Sequence, residues 1–522
     1  MTVTSAASDE SEETENRAGS GPDDDRGSIF EGVGRHALVY AVGIIVARSV
    51  SFLLLPVYTR YLTPGDYGVM ALIEMALDFI QIVAGAQLAA GVFRFYHKAD
   101  TDGERRRVVS TSFLLVSGMY AVVGVGTFLA ARPLAILIFE SPANTLLIRV
   151  ATANMAMGAL LIIPLSFARV EDRSKLFVGA TLTKALLGAA LNVFFLVVMG
   201  LGVMAVFLSS LISNTLVGVA MSIWLLRRVR LAWSPAAARH LLRYGAPLMA
   251  TSLATFATTF SDRFFLQAAA NTTVVGLYNL AYQFGFILVV LAFSPVDQIW
   301  GPRRFRAAKQ ADKDDVLSRG FILMNVVLIT AAVCIALFVF DLLRIMATPD
   351  FLPAAQVVPL ILIAYVLQCW ASVQDIGILV SERTEYVTLA NFLAAAVAVT
   401  GYILLVPLYF EWGAAITTVA AFLARYIFTY RFAQKLWRVE YRWRPVVILV
   451  VWATVVSVVG ALLPEAGIVQ SVAMRSALLV TFLGVGWLLP ILDDRDRAAA
   501  RRALSRFHQT IRQSLSFSRQ PH

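Results

Sequence analysis

The chain has 522 residues, of which 58% are hydrophobic and only 15% charged, against about 25% charged in an average soluble domain. A mean hydropathy of +0.72, with apolar stretches of membrane length along nearly the whole chain, excludes a soluble multidomain protein and points to a polytopic membrane protein. The net charge of +10 does not speak for nucleic acid, because the basic residues sit in short loops between apolar segments, where membrane orientation accounts for them.

The first 28 residues, "MTVTSAASDESEETENRAGSGPDDDRGS", carry eight acidic and two basic residues and almost nothing apolar. Such a stretch cannot bury a core and is expected to be disordered. It has no basic start and no apolar run, so it does not read as a signal peptide. We take 1–34 as an acidic cytoplasmic tail. About fourteen spans follow, near 37–62, 67–92, 108–131, 146–168, 175–199, 202–226, 244–268, 273–298, 319–343, 355–380, 385–408, 413–434, 444–463 and 471–491. Each must satisfy its own backbone hydrogen bonds in lipid, so each is expected to be a helix, and the fold all-α.

The loops support this count. Those after even-numbered spans are basic: "RFYHKADTDGERRR" carries five Lys/Arg, "RRFRAAKQADKDDVLSR" six and "KLWRVEYRWR" four. Loops after odd-numbered spans, such as "MGLG" and "AAANTT", almost lack them. The positive-inside rule then puts both termini and the basic loops in the cytoplasm, including a basic tail at 493–522. The chain also reads as a duplication. "KALLGAALNVFFLVVMGLGVMAVFLSSLISN" (184–214) and "NFLAAAVAVTGYILLVPLYFEWGAAITTVAAFLAR" (391–425) share a span, an external turn, a glycine and a small-residue span, six spans apart. Six is even, so we expect two like-oriented lobes, 35–230 and 231–440, related by a pseudo-twofold axis along the membrane normal, with a site between them. Spans 13 and 14 (441–492) are an addition.

A charge at mid-bilayer costs roughly 2.5–3.5 kcal/mol, so each needs a partner or a wet cavity. Counting at about 1.5 Å per residue places Arg48, Lys184 and Arg425 near mid-depth. Glu74 and Asp78, spaced i,i+4 on one face of span 2, are the acidic candidates, and Asp78 is also near mid-depth. Asp262, Arg263, Asp297, Asp375, Asp341 and Arg344 fall nearer span ends. Arg48 either pairs with Asp78 or Glu74 or faces an anionic ligand, and both readings stay open. Lys184 and Arg425 have no evident acidic neighbour at their depth. Arginine suits phosphate through its planar, always-charged fork. The expectation is a cationic cavity for an anionic passenger.

No Gly-Lys pair occurs, so there is no phosphate-binding loop of the G-x-x-x-x-G-K-[ST] type, and no H-E-x-x-H or G-x-S-x-G is present. External loops are too short for a catalytic domain. Two cysteines, Cys334 and Cys369, and five scattered histidines suggest neither disulfide nor metal site. We expect no cofactor and no enzyme.

"FLLLPVYTRYLTPGDYGVMALIEM" (52–75) resembles the first helical hairpin of Wzx-type polysaccharide flippases of the multidrug/oligosaccharidyl-lipid/polysaccharide (MOP) exporter superfamily. "GVFRFYHKAD" (91–100), "SDRFFLQAAANTTVVGLYNLAYQF" (261–284) and "VPLYFEWGAAITTVAAF" (406–422) are similar to later parts of that family, over roughly 35–440. "YFEW" departs from it, standing where a Tyr-Gly pair is common. The resemblance implies a sugar oligomer on a polyprenyl diphosphate as substrate and alternating access between two six-helix lobes. It implies a bacterial inner membrane, membrane lipid around the tail, and neighbours among polysaccharide-assembly membrane proteins. On that reading Arg48 and Lys184 attract the diphosphate from one lobe and Arg263 and Arg425 from the other, while Glu74 and Asp78 carry H+ or Na+. The alternatives are a cation-coupled multidrug exporter of the same superfamily, with an acidic or aromatic cavity, and a non-transporting scaffold.

Overall fold

The computed structural model describes residues 53–85, 87–464, 467–491 and 497. Arg48, most of span 1, the acidic tail and nearly all of the basic tail lie outside them. All regular elements among the described residues are helical, and eleven helices are long and apolar enough to cross a membrane.

The difference from fourteen has three sources. Of span 1 only α1 (Leu55–Tyr61) is described. Span 7, α9 (Pro235–Thr259), is long enough, but Arg239, His240 and Arg243 in its first turns and five Ser/Thr residues beyond them leave it too polar to be counted. Spans 11 and 12 run as one 52-residue element, α16 (Glu385–Leu436), broken at Phe410 with φ 45° and ψ −124°. A Cβ on Gly401 would lie 2.5 Å from Thr417, whereas an unbroken helix would hold those residues about 24 Å apart. The element is therefore a helical hairpin turning at "YFEW".

The first set holds α2 (Pro64–Val83), α3 (Leu88–Lys98), α4 (Asp102–Leu129), α5 (Ala131–Phe139), α6 (Thr145–Val170), α7 (Ser174–Val193) and α8 (Val203–Val229); apart from α2, whose main packing is across to the second set, they pack mainly on one another. The second set holds α9, α10 (Asp262–Ala269), α11 (Thr272–Ile287), α12 (Ser294–Ala307), α13 (Lys313–Met346), α14 (Ala354–Gln374), α15 (Ile376–Val380) and α16. The last two helices, α17 (Trp443–Ala461) and α18 (Ile468–Leu488), pack on α13. Between α11 and α12 the chain makes a π-helical turn, Leu288–Phe293, with Pro295 just beyond, which lacks the N–H a regular helix would use.

The two sets meet at the face away from the basic loops. Thr63 caps α2 in a capping box with Asp66, and Asn271 caps α11 through Val274 N–H. One turn further in, the helices cross backbone to backbone. A Cβ on Gly68 would lie 1.8 Å from the Thr272 carbonyl oxygen, and one on Gly276 1.9 Å from that of Pro64. Thr59 Oγ1 also donates to Met346 O at 2.9 Å, and Tyr67 meets Phe351 edge-on. This face is closed.

The basic face is also joined. Ala232 N–H donates to Ser110 Oγ at 2.8 Å and Ser234 N–H to Thr111 Oγ1 at 3.1 Å. Gly91 lets Leu241 approach α3, and Gly245 admits Leu88.

Candidate functional site

On α2, Glu74, Leu77, Asp78 and Gln81 recur at three- and four-residue steps, so they form one stripe. They line a cavity of about 340 Å³ inside the first set, closed by Asn154 and Gly158 of α6, Lys184 of α7, and Phe207, Ser210 and Asn214 of α8. Gln81 donates to Asp78 Oδ1 at 3.0 Å, and Asn214 Nδ2 to Asn154 Oδ1 at 2.7 Å. Lys184 makes no ion pair closer than 4 Å with an acid among the described residues, yet it shares this cavity with both carboxylates. Depth counting had left Lys184 without an acidic neighbour; the two segments lie over a hundred residues apart, and only the packing of α7 against α6 and α8 unites them.

The opposite face of α2 is apolar. Val69, Ala76, Phe79 and Ile80 line a groove of about 1000 Å³ with Leu134, Leu137 and Ile138 of α5 and Phe256 and Phe264 of the second set. Glu140, Ser141, Asn144, Gln267 and Asn271 make it polar at one end. One helix thus separates a charged cavity from an oily groove that opens between the two sets.

Arg263 is placed differently from the expectation that it meets substrate. It is 0% exposed, its Nη1 lies 2.6 Å from Asp262 Oδ1 and it donates to the Thr259 carbonyl. Its guanidinium carbon lies 3.8 Å from the Tyr282 ring centroid, and Tyr278 OH donates to the other oxygen of Asp262 at 2.9 Å. In this conformation Arg263 is sealed among Asp262 and tyrosines and lines neither cavity. Adjacent helical residues do not ordinarily face each other, so helical spacing does not foretell this pair.

Arg425 is half-buried, with its Nε lacking a hydrogen-bond partner among the described residues. It forms no ion pair among the described residues; Asp375, which follows α14, is held by Arg304 at 2.9 Å, which also donates to the carbonyls of Ser372 and Val373. Arg425 does not line the Lys184 cavity. Nearby at the basic face, outside the spans, burial pushes the Tyr441 hydroxyl well up and keeps it neutral. Sequence reasoning missed Arg475, which pairs with Asp341 at 2.7 Å and ties α18 to α13.

The sequence model of the polysaccharide biosynthesis protein family matches residues 33–308, more than half of the chain. The chain belongs to that family. The chain has the fold of the MOP superfamily. It is similar to the lipid II flippase MurJ in an inward closed conformation, with a TM-score of 0.69 at 10% identity over 86% of this chain and 99% of that one. An inward-facing multidrug resistance MATE family transporter of the MOP superfamily gives 0.59 at 15% identity, covering 74% and 94%. A MOP superfamily transporter from Pyrococcus furiosus, described as having a binding pocket of reversed polarity, gives 0.52 at 14% identity, covering 77% and 95%. Comparison with curated protein sequences returns no match.

Proposed function

We propose that the protein is a flippase that carries a lipid-linked anionic oligosaccharide across the membrane by alternating access, for surface polysaccharide synthesis. The observation that carries this reading is the two-sided environment of α2. An amphiphile needs a polar site for its head and an apolar one for its tail. The Lys184 cavity and the Phe79–Phe256 groove supply these on opposite faces of one helix. The family match supports a polysaccharide-related cargo.

In this mechanism the head enters from the cytoplasmic, basic face while the tail remains in the bilayer beside the groove. Lys184 attracts the phosphate, joined by Arg48 and, on the second lobe, Arg425. Arg263 acts as the internal counter-ion of Asp262 and frames that lobe unless the pair opens. Glu74 and Asp78 carry a coupling ion, H+ or Na+, or hold Lys184 and Arg48 until cargo arrives. Moving one charge across about 100 mV supplies about 2.3 kcal/mol. The protein sits in the bacterial inner membrane with both termini cytoplasmic, next to other assembly proteins.

One observation favours the second reading, a cation-coupled drug exporter: two carboxylates against one lysine in the cavity. The two separate in vesicles. With lipid-linked oligosaccharide as cargo, Lys184→Gln should abolish transport at normal membrane abundance. Transport of organic cations that survives in Lys184→Gln but fails in Asp78→Asn, with no oligosaccharide movement in the native protein, would replace the flippase reading.

A further inference from the structure

Membrane orientation accounts for the basic loops, yet three of their residues converge on one concave site. Lys98, at the end of α3, and Arg107, in the second turn of α4, line a cavity of about 450 Å³ at the basic face with His240, Ser234 and Ala237 of α9. The only acidic group lining it is Glu104, whose carboxylate accepts the Asp100 N–H at 3.2 Å. Neither Lys98 nor Arg107 forms an ion pair among the described residues. Lys98 and Arg107 come from the first helix set, His240 from the second. The walls are held in register by the bonds of Ser110 and Thr111 to Ala232 and Ser234, and by Phe95, which lies against the His240 ring. Two free cations and a ring N–H that surround a cavity from both sides match a compact multivalent anion.

We propose that this cavity is an entry site for the phosphate-bearing headgroup of the cargo, and that the anion, gripped from both sets, favours contact between them at the basic face. This deepens the flippase reading and rests on it. A ligand that bridges two bodies binds their joined state better, and so shifts the equilibrium toward it. The site is separate from the Lys184 cavity and precedes it on the way in.

The test uses the full chain in lipid nanodiscs with three probes: farnesyl diphosphate, farnesol and inorganic pyrophosphate. Farnesyl diphosphate should bind best, pyrophosphate measurably, and farnesol not at this site. Each charge-assisted contact is worth about tenfold in affinity, so Lys98→Gln/Arg107→Gln should weaken both phosphate probes about a hundredfold. Arg106→Gln, exposed and outside the cavity, should change them less than about threefold, within the range of a screened surface charge. Equal loss in Arg106→Gln would reduce the effect to surface charge and overturn the site. Farnesol binding as tightly as its diphosphate, or the double variant binding normally, would also overturn it, and equal affinity for pyrophosphate and farnesyl diphosphate would remove the lipid-borne headgroup. Lys184→Gln separates the two proposals, because it should lose transport while keeping phosphate binding at the entry site. Normal transport in Lys184→Gln would sink the central-cavity reading alone.

Discussion

The crossing of α2 and α11 is the contact most sensitive to one added methyl group. In Gly276→Ala the new Cβ would sit 1.9 Å from the Pro64 carbonyl oxygen and 2.9 Å from Gly68 N. Both atoms are backbone, so no rotamer change can relieve the clash. Ordinary contact begins near 3.4 Å, so the helices must part by about 1.5 Å, enough to forfeit much of their dispersion attraction. Overpacking of this kind costs about 1–3 kcal/mol, equivalent to about a 5–150-fold shift between two states. The penalty falls only on the state in which this face is closed. We therefore expect Gly276→Ala to populate an opened arrangement at that face. The assay is a distance measurement between spin labels at Tyr61→Cys and Thr273→Cys, with Cys334 and Cys369 replaced by Ala. A longer-distance population should appear or grow, and transport should slow because the return to the closed state is impaired. An unchanged distance distribution with unchanged transport would refute the idea that backbone contact at Gly68 and Gly276 governs closure.

Phe410→Gly should raise the thermal unfolding temperature in detergent, because the side chain is held at φ 45° at a cost of about 1–3 kcal/mol that glycine avoids; a clear fall would show that the Phe410 side chain stabilises the turn more than its backbone strains it. Asp341 is 2% exposed and pairs with Arg475, so Asp341→Asn should destabilise the packing of α18 on α13 by about 3 kcal/mol, read by thermal unfolding and by faster proteolysis between α17 and α18. Asp341→Leu/Arg475→Met should recover most of that loss, since both charges leave together.

Most of the helices were legible because lipid leaves the backbone one open solution, and apolar length alone reveals it. That signal is weakest at span 7, whose helix starts with Arg239, His240 and Arg243 because its first turns pack at the junction between the helix sets, where Leu241 meets Gly91 and Leu88 meets Gly245. The Tyr-Gly repeats at 67–68 and 276–278 were visible as matching strings, but their meaning was not: the two glycines meet each other. Glu74 and Asp78 were legible as a stripe because helical spacing is local. Lys184 joined them only through packing between distant segments. The Asp262–Arg263 pair was hidden for the opposite reason, since adjacent positions on a helix do not ordinarily face each other. Arg48 lies outside the described residues, and its partner is a matter for experiment.

The π-helical turn at Leu288–Phe293 sits between two fastenings on one rod. Beyond it on one side, α11 is clamped to α2 through Gly276; on the other, α12 is tethered to α14 by Arg304. A wide, weakly bonded turn is the softest place along that rod. If the clamp releases while the tether holds, the bend gathers there, and span 8 acts as a lever with its pivot midway and not as a stiff strut.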